Sequence, residues 1–330
     1  MHSRSLEAEA FRCEALFRKA RLAEDQHLIA DAAAACARAY AAMGETSKEW
    51  DFIYILGQSE ILSGAYSAAL RTSELLLDSP ISDSNPDLKA RALLMRASAL
   101  RNKSQHVPAI AAARDALTTL NTIDGHLDIH AEAYQGLIAS LVEAGMTDDA
   151  WSLREDLKAI LDRISNSKVA SSGYWTLGNL ALAHGRHAEG LDYHDRASEL
   201  LAPTNDMHAW ARFNKATADV QLQAGIANDQ TLHCIDRAQL AYDIIGGSEP
   251  ELMGLAVTRA RWSLAAGEPL RASEVLQEAF GSASGDDDSE HISAHLLWAQ
   301  ILTELGREVE AQHERDKAIR LQVLAEQGRN

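Results

Sequence analysis

The sequence predicts an all-α solenoid of about eight helix-turn-helix units, and three observations carry that expectation. Gly64, Gly145, Gly185, Gly225, Gly267 and Gly306 are separated by about 40 residues or a near multiple of it, with Lys103-Ser104 filling the missing step between the first two. Apolar stripes at helical spacing flank each of these points, and no alternating run is long enough to argue for a strand. Ala, Leu, Glu and Arg crowd the chain while aromatics make up only 5%, a composition that favours helix because these side chains lose little rotamer freedom there.

The units follow in order at roughly 4–43, 47–80, 87–122, 128–163, 168–203, 208–245, 249–281 and 290–326, which makes about sixteen helices in one continuous domain, 1–330. Each turn glycine stands where a first helix ends and a left-handed backbone angle costs least. Five residues later come Ala69, Ala109, Ala150, Gly190, Ala272 and Ala311, small side chains that let the second helix approach the first. Pro80, Pro86, Pro203 and Pro250 punctuate the units, and Pro108 and Pro269 fall near the first turn of a second helix, where a missing N–H is harmless. The first unit lacks the turn glycine.

Leu56-Gly57, Leu177-Gly178, the turn glycines, Tyr66, the small residues, Ala197 and Pro203 together resemble the tetratricopeptide repeat (TPR) pattern over nearly the whole chain. The resemblance implies a right-handed superhelix whose first helices line a concave groove that binds a peptide or protein partner. The long period also resembles the repeat variant of bacterial regulators, including peptide-pheromone receptors and the sensor halves of helix-turn-helix transcription regulators.

Several function classes are disfavoured. The net charge of −17 repels phosphate backbones, so direct nucleic-acid binding is not expected. No 18-residue apolar run or signal-peptide core occurs, so neither a membrane nor export is expected. Cys13, Cys36 and Cys234 are odd in number and widely spaced, which fits reduced, mostly buried thiols in a cytoplasmic protein. His184, His187 and His194 invite a metal reading, but in repeat register His187 and His194 occupy positions where the family packs aromatic rings between helices. The pairs His126/His130 and His291/His295 lack an HExxH-type completion and read as solvated helix starts. Gly281–Gly285 (GSASG) has Ala in place of a nucleophile, and Asp286–Asp288 lacks EF-hand spacing, so both read as loop. With no cofactor fingerprint and no catalytic constellation, a non-enzyme without cofactor or metal is expected.

The resemblance places groove-facing side chains at fixed positions of each first helix. These are Asp51, Tyr54 and Gln58; Arg91, Ser98 and Arg101; Glu132 and Gln135; Trp175 and Asn179; Arg212, Lys215 and Asp219; Arg261; and Gln300. Five basic against three acidic residues make a local balance of about +2, suited to a peptide carboxylate or small anionic ligand. Side-chain amides suit an extended peptide backbone, and Tyr54 and Trp175 suit apolar anchoring. A chaperone-type carboxylate clamp is not reproduced, because Asp219 stands where that pattern needs Asn.

The expected function is therefore a cytoplasmic regulatory sensor that binds a peptide or small anionic ligand in the groove and changes superhelical pitch. The alternatives are a ligand-independent protein–protein scaffold and the sensor part of a transcription regulator lacking its DNA-binding domain. The charge-rich terminal stretch from Glu308 serves as a polar cap or a homodimer contact.

Overall fold

The computed structural model describes residues 2–23, 25–123, 125–201, 207–282 and 289–327. Pro203 and the segment Ala283–Asp288, which includes the end of the GSASG motif and the aspartate run, lie outside the described residues, whereas Gly281 and Ser282 belong to the last turn of a helix. No strand occurs among the described residues, and no described helix is long and apolar enough to cross a membrane.

The chain divides into two compact units, Met1–His184 and Gly185–Asn330. The first contains α1 (His2–Leu22), α2 (Gln26–Met43), α3 (Thr46–Leu62), α4 (Tyr66–Leu77), α5 (Pro80–Ser84), α6 (Pro86–Asn102), α7 (His106–Leu120), α8 (Leu127–Glu143), α9 (Thr147–Ser152), α10 (Arg154–Leu161) and α11 (Ser167–Ala183). The second contains α12 (His187–Leu200), α13 (Met207–Gln223), α14 (Asp229–Ile245), α15 (Glu249–Ala265), α16 (Pro269–Ser282), α17 (Ser289–Glu304) and α18 (Glu308–Gln327).

The described helices number 18 instead of sixteen for two local reasons. The segment between Pro80 and Pro86 forms the extra helix α5: Pro80 opens it, and Asn85, forced to extended angles (φ −129°, ψ 93°) by the proline that follows, ends it. The fourth hairpin's second helix breaks at Leu153, whose N–H bonds Ala150 O at 3.1 Å, a tighter i−3 bond that interrupts the α-helical ladder. Pro86 and Pro250 lie inside the first turn of α6 and α15 instead of between units.

One turn is used throughout. The six glycines of the repeat have φ of 72° to 82°, and Ser104 takes the same left-handed region at 56°. Gly64 N–H bonds Ile61 O at 3.1 Å and Ala65 N–H bonds Glu60 O at 2.7 Å, a Schellman pair that satisfies carbonyls at the helix end. Ser104 and Gln105 repeat it on Arg101 O and Leu100 O at 2.8 and 2.9 Å. Gly44 (φ 73°) builds the same turn between α2 and α3, so the device also joins successive hairpins. Beyond the turns, Ala69, Ala109, Ala150, Ala272 and Ala311 have no exposed surface and Gly190 is buried, as close helix approach requires.

The hairpins stack through their first helices. In the first unit α3 touches α6, α6 touches α8 and α8 touches α11; in the second, α13 touches α15 and α15 touches α17. The second helices reach across to the next first helix, as α7 does to α8 and α14 to α15. Within each unit the first helices thus form an inner row, the side on which the resemblance places the groove.

Replacing Ser104 by Gly removes the cost of an L-residue in the left-handed region and raises stability by about 1 kcal/mol, whereas Gly145→Ala lowers it by about 1–2 kcal/mol. Denaturant unfolding checks both signs. A loss of stability in Ser104→Gly would contradict the role given to this turn.

Candidate functional site

In the first unit, the inner row brings part of the anticipated set together from behind forward. Trp50, buried on α3, donates from Nε1 to Ser82 Oγ of α5 at 2.9 Å, and Ser82 donates to Leu76 O at 2.6 Å. Tyr54, one helical turn along α3, stacks on Trp50 with ring centroids 5.3 Å apart and planes at 11°. The Arg91 and Gln58 side chains lie near its hydroxyl and favour its ionised form. Tyr54, Gln58, Ile61, Leu62, Leu94, Met95 and Ser98 line one cleft of about 360 Å³. Gly57 on this helix is buried, and a Cβ there would collide with the Met95 side chain, so α3 and α6 meet at its bare backbone.

Electrostatics around this cleft are those of a recess. Burial raises the Tyr54 phenol, with Glu132 adding to the rise and Arg91 pulling it back. Glu132 keeps an exposed surface, yet the protein crowding it raises its carboxyl above the usual range, while Arg91 draws it down. Gln135 accepts from Ser172 Oγ of α11 at 2.7 Å, and Trp175 and Asn179 lie half-buried on the same helix. Arg101 stands apart from the cleft, bonded to Glu143 Oε1 at 2.5 Å.

The remaining anticipated residues fall in the second unit. Lys215 Nζ donates to Asp219 Oδ2 at 3.1 Å, Thr258 donates to Asp219 Oδ1 at 2.8 Å, and Arg261 stands 3.8 Å from that oxygen. Arg212 faces Glu251 at 3.7 Å. Gly254 leaves room on α15 for the Lys215 stem and the Glu290 carboxylate to approach. Asp219, Arg261, Gln300 and Glu304 border a cleft of about 590 Å³ on this face.

The expected basic bias does not survive. Arg101, Arg212, Lys215 and Arg261 each face a carboxylate, Arg91 interacts with Glu132, and counting Glu143 and Glu251 cancels the surplus before Glu290 is added. Glu143, the last residue of α8, and Glu251, in the first turn of α15, fall outside the positions that the resemblance assigns to the groove. The signal was present as a Glu in the last turn of α8 and the first turn of α15.

The histidines sort by burial. His194 is buried between α12 and α13, 3.4 Å from Gln221 Nε2, but His187 is exposed and packs no helix interface. His184 stacks on Trp151 at 4.6 Å and approaches Asp148 at 3.2 Å. His126 caps α8 in the left-handed region. His291 and His295 are buried, not solvated: His295 stacks on Phe280 and its Nδ1 lies 2.6 Å from Glu314, because α16, α17 and α18 close over this face. No group of three metal-ligating side chains is present among the described residues. Cys36 and Cys234 are buried, and burial pushes their thiols up to about 12 and about 11.

No protein-family model matches the chain and no curated protein matches it in sequence. Solved structures do match in fold. The apo form of RapI superposes with a TM-score of 0.61 at 9% identity, over 98% of this chain and 99% of that one. A Rap protein complexed with competence and sporulation factor gives 0.57 at 13%, over 98% and 99%. The chain is thus an all-α, TPR-like solenoid with the fold of these proteins.

Burial lowers the His194 imidazole to about 4, against an ordinary 6.5. The unfolded chain therefore binds the extra proton between those values, so stability is full above pH 6.5 and falls by about 3 kcal/mol as pH drops towards 4. His194→Phe should flatten that part of the stability–pH curve; an unchanged slope would rule out His194 as its source.

Proposed function

We propose that this chain is a non-catalytic, cytoplasmic regulatory protein that binds an extended peptide segment of a ligand or partner on the inner face of its first unit. The observation that carries this reading is Tyr54. Its ring is fixed from behind by the Trp50–Ser82–Leu76 chain while its edge borders an open cleft beside the exposed amide of Gln58. A rigid aromatic anchor with a polar tip binds at low entropy cost, and a side-chain amide can both donate to and accept from an extended backbone. Leu62, exposed, and Leu94 supply the apolar wall that a peptide side chain would cover. The likeness in fold to a Rap protein complexed with competence and sporulation factor supports a binding role for such a solenoid. Because the basic side chains are already paired, recognition here rests on shape, stacking and backbone pairing more than on attraction of a free anion.

Native mass spectrometry of the protein purified from the cells that make it, beside a denatured sample, should show a retained peptide. Tyr54→Ala should weaken binding of that peptide about tenfold, as loss of an aromatic anchor does. The double change Arg212→Ala/Lys215→Ala should leave it nearly unchanged. The reverse pattern would move the site to the second unit and defeat the assignment.

A further inference from the structure

Helix α1 has two faces of opposite use. Ala10, Phe17 and Ala20 are buried, packed towards α2 and α3 with Cys36, Tyr40 and Phe52. The other face carries Ala8, Phe11, Ala15, Arg18 and Leu22, spaced three and four residues apart, which is the seam of a two-helix coil. Phe11 is 68% exposed and Leu22 88%, and no described element of the first unit covers them. Large apolar side chains grouped on one exposed helix face mark an interaction surface, and Phe11 and Leu22 are such a group on α1.

Charge says what fits. Glu7, Glu9 and Glu14 lie in the first two-thirds of α1, while Arg18, Lys19 and Arg21 crowd its end. A helix of this pattern is complementary to a reversed copy of itself. With the seams meshed antiparallel, Phe11 packs over Ala15 of the other copy, a large side chain against a small one. The same register brings Glu7 beside Arg21, twice by symmetry. Arg12 and Glu14 would each meet their own copies near the two-fold axis, the two unfavourable contacts of this register.

We propose that the protein associates as a two-fold dimer through antiparallel pairing of α1 with α1 of a second copy. A footprint one helix wide and about 30 Å long is at the low end of specific interfaces, so the dimer dissociates on dilution.

Sedimentation velocity of the full chain over a concentration series tests this. A monomer–dimer equilibrium is expected, and Phe11→Glu/Leu22→Glu should raise its dissociation constant at least tenfold without loss of helical circular dichroism, since both side chains are exposed. Glu7→Arg alone should weaken the dimer, and Glu7→Arg with Arg21→Glu should restore it. A protein that stays monomeric at every attainable concentration overturns the proposal. So does a dimer indifferent to Phe11→Glu/Leu22→Glu or a charge exchange that fails to restore pairing.

Discussion

The hairpins from α3 onward depend on one constraint: a residue in the left-handed region ends each first helix, and in all of them but α13–α14 a small residue follows where the second helix crosses it. The Schellman bonds at Gly64 and its counterparts fix the direction in which the chain turns back, and the buried alanines set how near the returning helix lies. Neither device uses a large side chain. The apolar faces of the hairpins are therefore left for stacking on neighbours, which is why first helices pack in succession and an inner row exists within each unit.

That inner row is where burial and charge are balanced. Tyr54 and Glu132 are crowded enough for burial to raise the pKa of each, yet Tyr54 borders an open cleft and Glu132 keeps an exposed surface. Cations line the same faces of both units but come paired, as with Asp219, which holds Lys215 and Thr258 and lies near Arg261. Such pairs orient side chains without offering a free charge. A ligand that used them would first have to break them, so discrimination comes from fit to the fixed aromatic and amide groups, and charge sets the boundaries of the face.

What could be read from sequence was whatever is local. A left-handed turn needs Gly or a short polar residue at one position, so the period was visible, including Ser104, where no glycine marks it. The break at Leu153 and helix α5 were not visible, because a one-residue change of hydrogen bonding and a helix between two prolines leave no periodic trace. For the site, Tyr54, Gln58, Ser98, Lys215, Asp219 and Arg261 were found on the inner faces because repeat register fixes which side of a helix a residue faces. Glu143 and Glu251, the partners of Arg101 and Arg212, stand at helix ends, where register says least. His291 and His295 were misjudged for a related reason: burial there is imposed by α16 and α18, which no pattern within α17 encodes.

Helix α3 joins the two surfaces of the first unit. Phe52 meets Phe17 edge-on at 5.4 Å and stacks on Tyr40 at 5.6 Å, so it belongs to the packing that holds α1. Tyr54, two residues on and about 200° around the helix, belongs to the cleft. A ligand that merely fills the cleft leaves Phe52 in place and has no means of reaching α1. One that rotates α3 must repack Phe52 against Phe17 and Tyr40, and would thereby shift the helix whose outer face carries Phe11 and Leu22. Communication between cleft and α1 thus requires a second packing of this aromatic cluster, because close-packed rings switch between discrete arrangements and do not deform by degrees. In this arrangement Phe52, with Ile55 and Leu56 beside it on α3, forms the packing through which such coupling would pass.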